Sequence, residues 1–241
     1  MITMGIYLAE RGLIPDLLLR FFIKRFSLSR LVEANNEDRK ISVIDGLKTG
    51  PIAENTIDAN EQHYEVPADY FKAVLGPRLK YSCCWFDDES VSLGEAEIKM
   101  MESYLERAKI EDGQTILDLG CGWGSLSLFL AERFPNSAIY SVSNSNDQIE
   151  HIKNIAKEKN LVNLHPEVQD VNSLTLNQQF DRVVSIEMFE HMRNYEALLQ
   201  KVKHLLKPDG LLFIHIFCHK ETAYLYEESG EKDWMTRNFF R

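Results

Sequence analysis

Glu187, Glu190 and His191 are spaced i, i+3 and i+4. One helical turn would place such residues on one face. Two carboxylates and an imidazole can attract a protonated amine, and the imidazole can then take its proton as general base. The competing reading is structural: acids favour a helix N-terminus, and His191 caps or packs. The context decides. Val183–Ile186 reads as a strand, so the three groups follow its carboxyl end, where open α/β sheets keep their clefts.

A second segment, ILDLGCGWGS, places Gly120, Gly122 and Gly124 directly after a strand and before a helix. Glycines there let the backbone adopt tight turns and approach a ligand closely. A plain tight strand-to-helix connection needs fewer of them. A dinucleotide fingerprint would need Gly at position 125, which is Ser125, and the GK[ST] of a phosphate loop is absent. An acidic residue followed by GxGxG instead suits S-adenosylmethionine. Asp118 can pair with the ammonium at its methionine end, and Gly120, Cys121 and Gly122 can line its backbone side. Nucleotide-binding sheets usually carry an acid after the second strand, to hold ribose hydroxyls. Here Ser143, Asn144 and Ser145 stand there with Gln148 one turn on, and amides can still hydrogen-bond a ribose. Asp170 and Val171, after the third strand, are expected at the adenine, although a polar residue there can equally be an exposed turn residue.

The elements that must position these groups alternate. Strands are expected at Thr115–Leu119, Ala138–Ser143, Leu164–Gln169, Phe180–Ile186 and Leu211–Phe217, the last a continuous apolar run read as a central strand. Helices are expected at Ser125–Arg133, Asp147–Lys159 and Tyr195–Leu206, with Met100, Met101, Tyr104 and Leu105 at helical spacing ahead of a turn at Gly113. This alternation implies an α/β fold with a doubly wound, mostly parallel sheet in the order 3-2-1-4-5. Residues 1–60 are expected to form an N-terminal helical extension and linker, with the extension closing over the cofactor, and 61–241 the binding domain. In the extension, Leu13, Leu17, Leu18, Phe21, Phe22 and Phe26 recur at helical spacing among basic residues. A helix packed on its own domain or a partner is preferred to a membrane-surface helix, because the basic residues are few. NNEDRK and the run from Lys48 to Asn60 read as exposed linker.

Composition bounds the partners. The 241 residues are 44% hydrophobic and 27% charged, with a net charge of −10. So acidic a chain is a poor nucleic-acid binder and suits a small cationic or neutral substrate. The four cysteines form no CxxC pair, so neither a zinc site nor a redox motif is indicated, and a reducing, cytoplasmic setting is expected. Cys84 and Cys218 read as small apolar fillers, while His215, mid-strand in an apolar run, reads as core or site equally well. Trp85 and Phe86 could wall the cofactor or pack in the core. The tail EESGEKD reads as a solvated loop.

YSCCWF, LDLGCGWGSLSLFLAERFP, VSNSNDQ, SIEMFEHMRNY, LKPDGLLFIHIFCHK and DWMTRNFF follow in order. They resemble the cyclopropane fatty acid synthase family of methyltransferases, closest to its coclaurine N-methyltransferase-like branch. The resemblance covers roughly residues 8–241. It implies a Rossmann-like class I methyltransferase fold and S-adenosylmethionine as cofactor. It also implies that Tyr81 and Ser82 close over that cofactor and that Glu187, Glu190 and His191 act at an amine. In the cyclopropane synthases it implies a bicarbonate at positions like Cys83, Glu190 and His215, with a small residue where Glu187 stands. Glu187 is therefore the reason to expect an amine rather than an alkene as acceptor. Relatives continue beyond DWMTRNFF with further strands, so the resemblance implies a shortened member or a fragment. A homodimer is compatible with the sequence. The alternatives are transfer to an unsaturated lipid chain and a cofactor-binding form without catalysis; a nicotinamide oxidoreductase is disfavoured by Ser125.

Overall fold

A computed structural model describes residues 2–34, 37–54 and 68–219. It divides into two units, Met1–Thr49 with His219–Arg241, and Gly50–Cys218. The tail EESGEKD and the DWMTRNFF segment lie outside the described residues.

In the first unit, helix α1 spans Ile2–Glu10, α2 Asp16–Ala34 and α3 Glu37–Gly46. Gly12, at φ +67°, lets the chain turn out of α1. Leu13 thus lies between helices, while Leu17, Leu18, Phe21, Phe22 and Phe26 share α2 and are exposed. Helix α3 corrects the expectation of linker for Glu37–Lys40; Asn35 and Asn36 of NNEDRK lie outside the described residues. Glu, Lys and Arg are good helix formers, so a charged run ahead of Ile41 and Ile44 can be helical.

The second unit is built on a five-stranded parallel sheet, with strands β1 (Thr115–Leu119), β2 (Ala138–Ser143), β3 (Leu164–Val168), β4 (Phe180–Ile186) and β5 (Leu206–His215). Their order is β3-β2-β1-β4-β5, as expected. Helix α4 (Ala68–Val74) and α5 (Leu93–Ala108) precede the sheet, and α6 (Ser125–Arg133), α7 (Asn146–Glu158) and α8 (Tyr195–Leu205) alternate with its strands. Ile116 and Leu117, adjacent on β1, fall into two different core clusters. Alternating side chains thus feed two apolar layers, as a sheet buried on both sides requires.

The α5 capping box explains where that helix starts. Ser92 accepts from the Glu95 N–H while the Glu95 carboxylate accepts from the Ser92 N–H. Its inner face carries Glu97, fully buried, with one carboxylate oxygen accepting from the Arg78 N–H (3.0 Å) and the other from the Lys80 N–H (3.1 Å). A Cβ on Gly76 would stand 2.6 Å from that carboxylate, so Gly76 makes room for it.

Three further expectations are corrected. Strand β5 begins at Leu206, five residues early, because Lys207–Gly210 bulge between the pairs Phe180↔Leu206 and Arg182↔Leu211. A Cβ on Gly210 would lie 2.7 Å from the Phe180 carbonyl, so the bulge needs glycine there. Among the described residues β5 is an edge strand, not a central one. The Lys48–Asn60 run is not all linker either: Ile52 and Ala53 are buried. The Ile52 carbonyl accepts from the Arg193 N–H (2.7 Å), and Ala53 exchanges two hydrogen bonds with the Asn172 side chain. Two residues are too few to show a periodicity.

Replacing Glu97 by Ala would leave the buried Lys80 N–H and the part-buried Arg78 N–H without their acceptor. The Glu97→Ala variant is expected to lose about 2–4 kcal/mol of stability, measured by urea unfolding.

Candidate functional site

The cleft lies at the carboxyl ends of β1, β2 and β4. The turn after β1 is held by the Gly120 and Cys121 N–H groups, which both donate to the Val142 carbonyl (2.9 and 3.0 Å). Gly120, Gly122 and Gly124 all have positive φ, the region where side chains are strained. A Cβ on Gly120 would stand 2.6 Å from Met188, and one on Gly124 would strike Ile152. Beside Gly122 nothing lies within 4 Å, because it faces the cavity.

The cavity has two lobes that share Gly120, Gly122, Gln148, Glu187 and His191. The larger, about 170 Å³, is lined also by Tyr81, Ser82, Asp118, Cys121, Trp123 and Glu190. The smaller, about 110 Å³, is lined also by Ala53, Ser143, Asn144, Gln169, Val171 and Met192. The cavity thus gathers every expected site residue except Asp170. That carboxylate accepts instead from the Asn172 N–H (2.7 Å), closing its own turn, and Gln169 takes the lining position. Trp85 and Phe86 are both exposed and line neither lobe; Cys218 is exposed, so it fills no core.

The residues fit a nucleoside with a charged tail. Gln148 is buried, and its carbonyl accepts from the Ser143 hydroxyl (2.7 Å). Its amide nitrogen has no partner. A buried, unpaired donor beside the glycine turn calls for an acceptor on a ligand. At the other end, buried Asp118 accepts from the Ser127 hydroxyl (2.6 Å). Burial pushes its carboxyl up to about 6. A cation placed there would restore the ionised form.

Glu187, Glu190 and His191 meet in the larger lobe, but not through a helical face. Glu187 follows β4 in the left-handed region, at φ +51°. Phe189–His191 is a short 3₁₀ turn. This corrects the expectation of one α-helical turn. Glu187 donates its N–H to the His215 carbonyl (2.7 Å), and its carboxylate accepts from the Cys83 N–H (3.1 Å). Glu190 accepts from the Phe217 N–H (3.1 Å), while its other oxygen is buried without a partner. Burial raises the Glu190 pKa, and the nearby Glu187 raises it further. Desolvation lowers the His191 pKa against the opposing pull of Glu187, so the ring is a neutral acceptor at physiological pH.

Sequence reasoning missed the wall behind Glu187. Lys80 is buried. Its ammonium donates to Ser82 Oγ, to the Cys83 carbonyl (2.7 Å) and to the Tyr104 hydroxyl (3.2 Å). Tyr104 Oη lies 2.9 Å from His215 Nδ1, and His215 Nε2 lies 3.7 Å from Cys83 Sγ. Cys83, Glu187 and His215 bring their donor atoms within 4.8 Å of one another, close enough to share an ion. The Lys80 charge beside them opposes a cation there.

The chain is similar to known methyltransferases. The family model "Mycolic acid cyclopropane synthetase" matches residues 53–241. The (S)-coclaurine N-methyltransferase of Thalictrum flavum subsp. glaucum is 40% identical, covering 96% of this chain and 66% of that protein. The (S)-coclaurine N-methyltransferase of Papaver somniferum is 37% identical, covering 96% and 68%. The chain thus spans about two thirds of the length of these curated relatives. A crystal structure of coclaurine N-methyltransferase bound to N-methylheliamine and SAH superposes with a TM-score of 0.91 at 37% identity, over 98% of this chain and 70% of that one.

Three outcomes test the cleft. S-adenosylmethionine affinity, measured by calorimetry, should rise with pH through about 6, as Asp118 ionises. Asp118→Asn should flatten that rise and weaken binding at pH 7 by about ten- to a hundredfold. Gly120→Ala should abolish binding, because its Cβ would displace Met188.

Proposed function

The chain belongs to the mycolic acid cyclopropane synthetase family, and from that premise we propose that it is an S-adenosylmethionine-dependent N-methyltransferase acting on a small amine. The observation that carries this reading is the convergence of Glu187, Glu190 and His191 on the lobe walled by Asp118 and the glycine turn. Gly120, Gly122, Asn144, Gln148 and Val171 would hold the nucleoside, and Asp118 the ammonium of the methionine tail. Bound there, S-adenosylmethionine supplies an electrophilic methyl group on sulfur and leaves as the thioether.

A substrate amine is protonated at neutral pH and has no lone pair to attack with. Glu187 and the unpaired oxygen of Glu190 attract the ammonium into the lobe. His191, neutral because it is desolvated, takes the N–H proton onto its ring nitrogen. The freed lone pair forms the new N–C bond as the S–C bond breaks, and the nitrogen becomes cationic again. The two carboxylates then neutralise the product charge. Most of the remaining acceleration comes from alignment in a shaped cleft. The relatives are named for (S)-coclaurine, and the similar crystal structure holds N-methylheliamine. These names support amines of that kind as the acceptor class.

The family name also keeps a lipid acceptor in view, with an anion between Cys83, Glu190 and His215. Glu187 argues against it. Its carboxylate already occupies the Cys83 N–H, and a second anion beside it would be repelled.

The test is steady-state methyl transfer to a panel of secondary amines. His191→Asn should lower kcat by about a hundredfold or more. Glu187→Gln and Glu190→Gln should each raise KM for the amine by about tenfold. Rate should climb with pH and level off below the ordinary imidazole value of about 6.5, since the His191 pKa is lowered. Wild-type turnover by all three variants would remove the assigned roles.

A further inference from the structure

An ammonium carries three protons, and Lys80 has three acceptors: Ser82 Oγ, the Cys83 carbonyl and Tyr104 Oη. Because Lys80 can only donate, the Tyr104 oxygen receives from it. The tyrosine's own proton is then free to point at His215 Nδ1, 2.9 Å away. Nδ1 is thereby an acceptor, and in a neutral ring the proton must sit on Nε2. That nitrogen faces Cys83 Sγ at 3.7 Å, within reach of an N–H···S bond. With Tyr104 donating to Nδ1, donation would run outward from Lys80 to Cys83. Beyond Cys83 stands Glu187, which the same residues hold twice. The His215 carbonyl accepts the Glu187 N–H, and the Cys83 N–H donates to the Glu187 carboxylate.

We propose that Lys80 is a positioning residue for Glu187, acting through the Tyr104–His215 pair, which it locks in the Nε2–H tautomer so that the Cys83 segment stays seated against the Glu187 carboxylate. This deepens the amine-methylation reading and rests on it only for its kinetic consequence. Lys80 lines the same lobe, but its three protons are already taken by protein acceptors, so it acts through those partners. Its burial without a carboxylate among those acceptors follows from this role, since a buried ammonium is retained only where every proton is satisfied. The same tautomer spends the Nε2 lone pair on a proton, which leaves that atom unable to bind a metal ion.

The experiment uses the whole chain saturated with S-adenosylhomocysteine, with ¹⁵N-labelled histidine observed by NMR above the imidazole titration range. Wild type should show His215 as a single Nε2–H tautomer. Tyr104→Phe removes one oxygen and keeps the ring that packs the core, so it should fold. It should convert His215 to a mixture of tautomers, and Lys80→Met should do the same. Calorimetry should give an S-adenosylhomocysteine affinity for Tyr104→Phe within about twofold of wild type. With a turned-over amine, its kcat should fall about three- to tenfold, the effect of one lost hydrogen bond. A wild-type His215 protonated on Nδ1, or a Tyr104→Phe protein that keeps the single Nε2–H form, would overturn the proposal. The tautomer readout needs no acceptor, so failure of every amine with the expected tautomers would count against N-methylation and leave the Lys80 assignment standing.

Discussion

The backbone at Glu187 is the constraint on which the site depends. A residue with a side chain disfavours positive φ by about 1–2 kcal/mol, and glycine would avoid that strain. Glu187 is nonetheless held at φ +51° just after β4. Its N–H pairs with the last residue of β5, so the β4–β5 ladder itself enforces the turn. Strain of this kind persists only where surrounding structure over-determines it. Here it turns the carboxylate toward the Cys83 segment and starts the short 3₁₀ turn that carries Glu190 and His191 into the same lobe.

Charge follows from that placement. Two carboxylates share a partly desolvated lobe, and burial with mutual repulsion pushes Glu190 upward. Asp118 is pushed up by burial in the same way at the cofactor end. The cleft therefore holds unfavourable negative charge that a cation relieves, and each proposed ligand brings one: the ammonium of the methionine tail, and the amine. Ligand binding would thus return free energy that folding gives up at these positions. The described helices include none long and apolar enough to cross a membrane.

Much of this was legible in the sequence. Strands β1, β2 and β4 begin and end where their apolar runs do, and the sheet order follows from alternating elements. The glycine turn was readable because three glycines in five residues have few other uses. What escaped was set by tertiary contacts rather than local pattern. Tyr104 reads as one more inward residue of α5, and only the fold reveals that its hydroxyl lies between Lys80 and His215. Ile52 and Ala53 are buried by hydrogen bonds to Asn172 and Arg193, far away in the chain. The expected helical face at 187–191 failed because i, i+3, i+4 spacing assumes α geometry, which the left-handed Glu187 interrupts. Asp170 was misplaced because an aspartate in a turn prefers its own backbone.

The most direct measurement is where a labelled methyl group goes when acceptors compete. The protein would be given methyl-labelled S-adenosylmethionine, a panel of secondary amines and vesicles of monounsaturated phospholipid in one reaction. The account predicts label on amine nitrogen and none in the acyl chains. Label in the lipid, with the amines untouched, would contradict it.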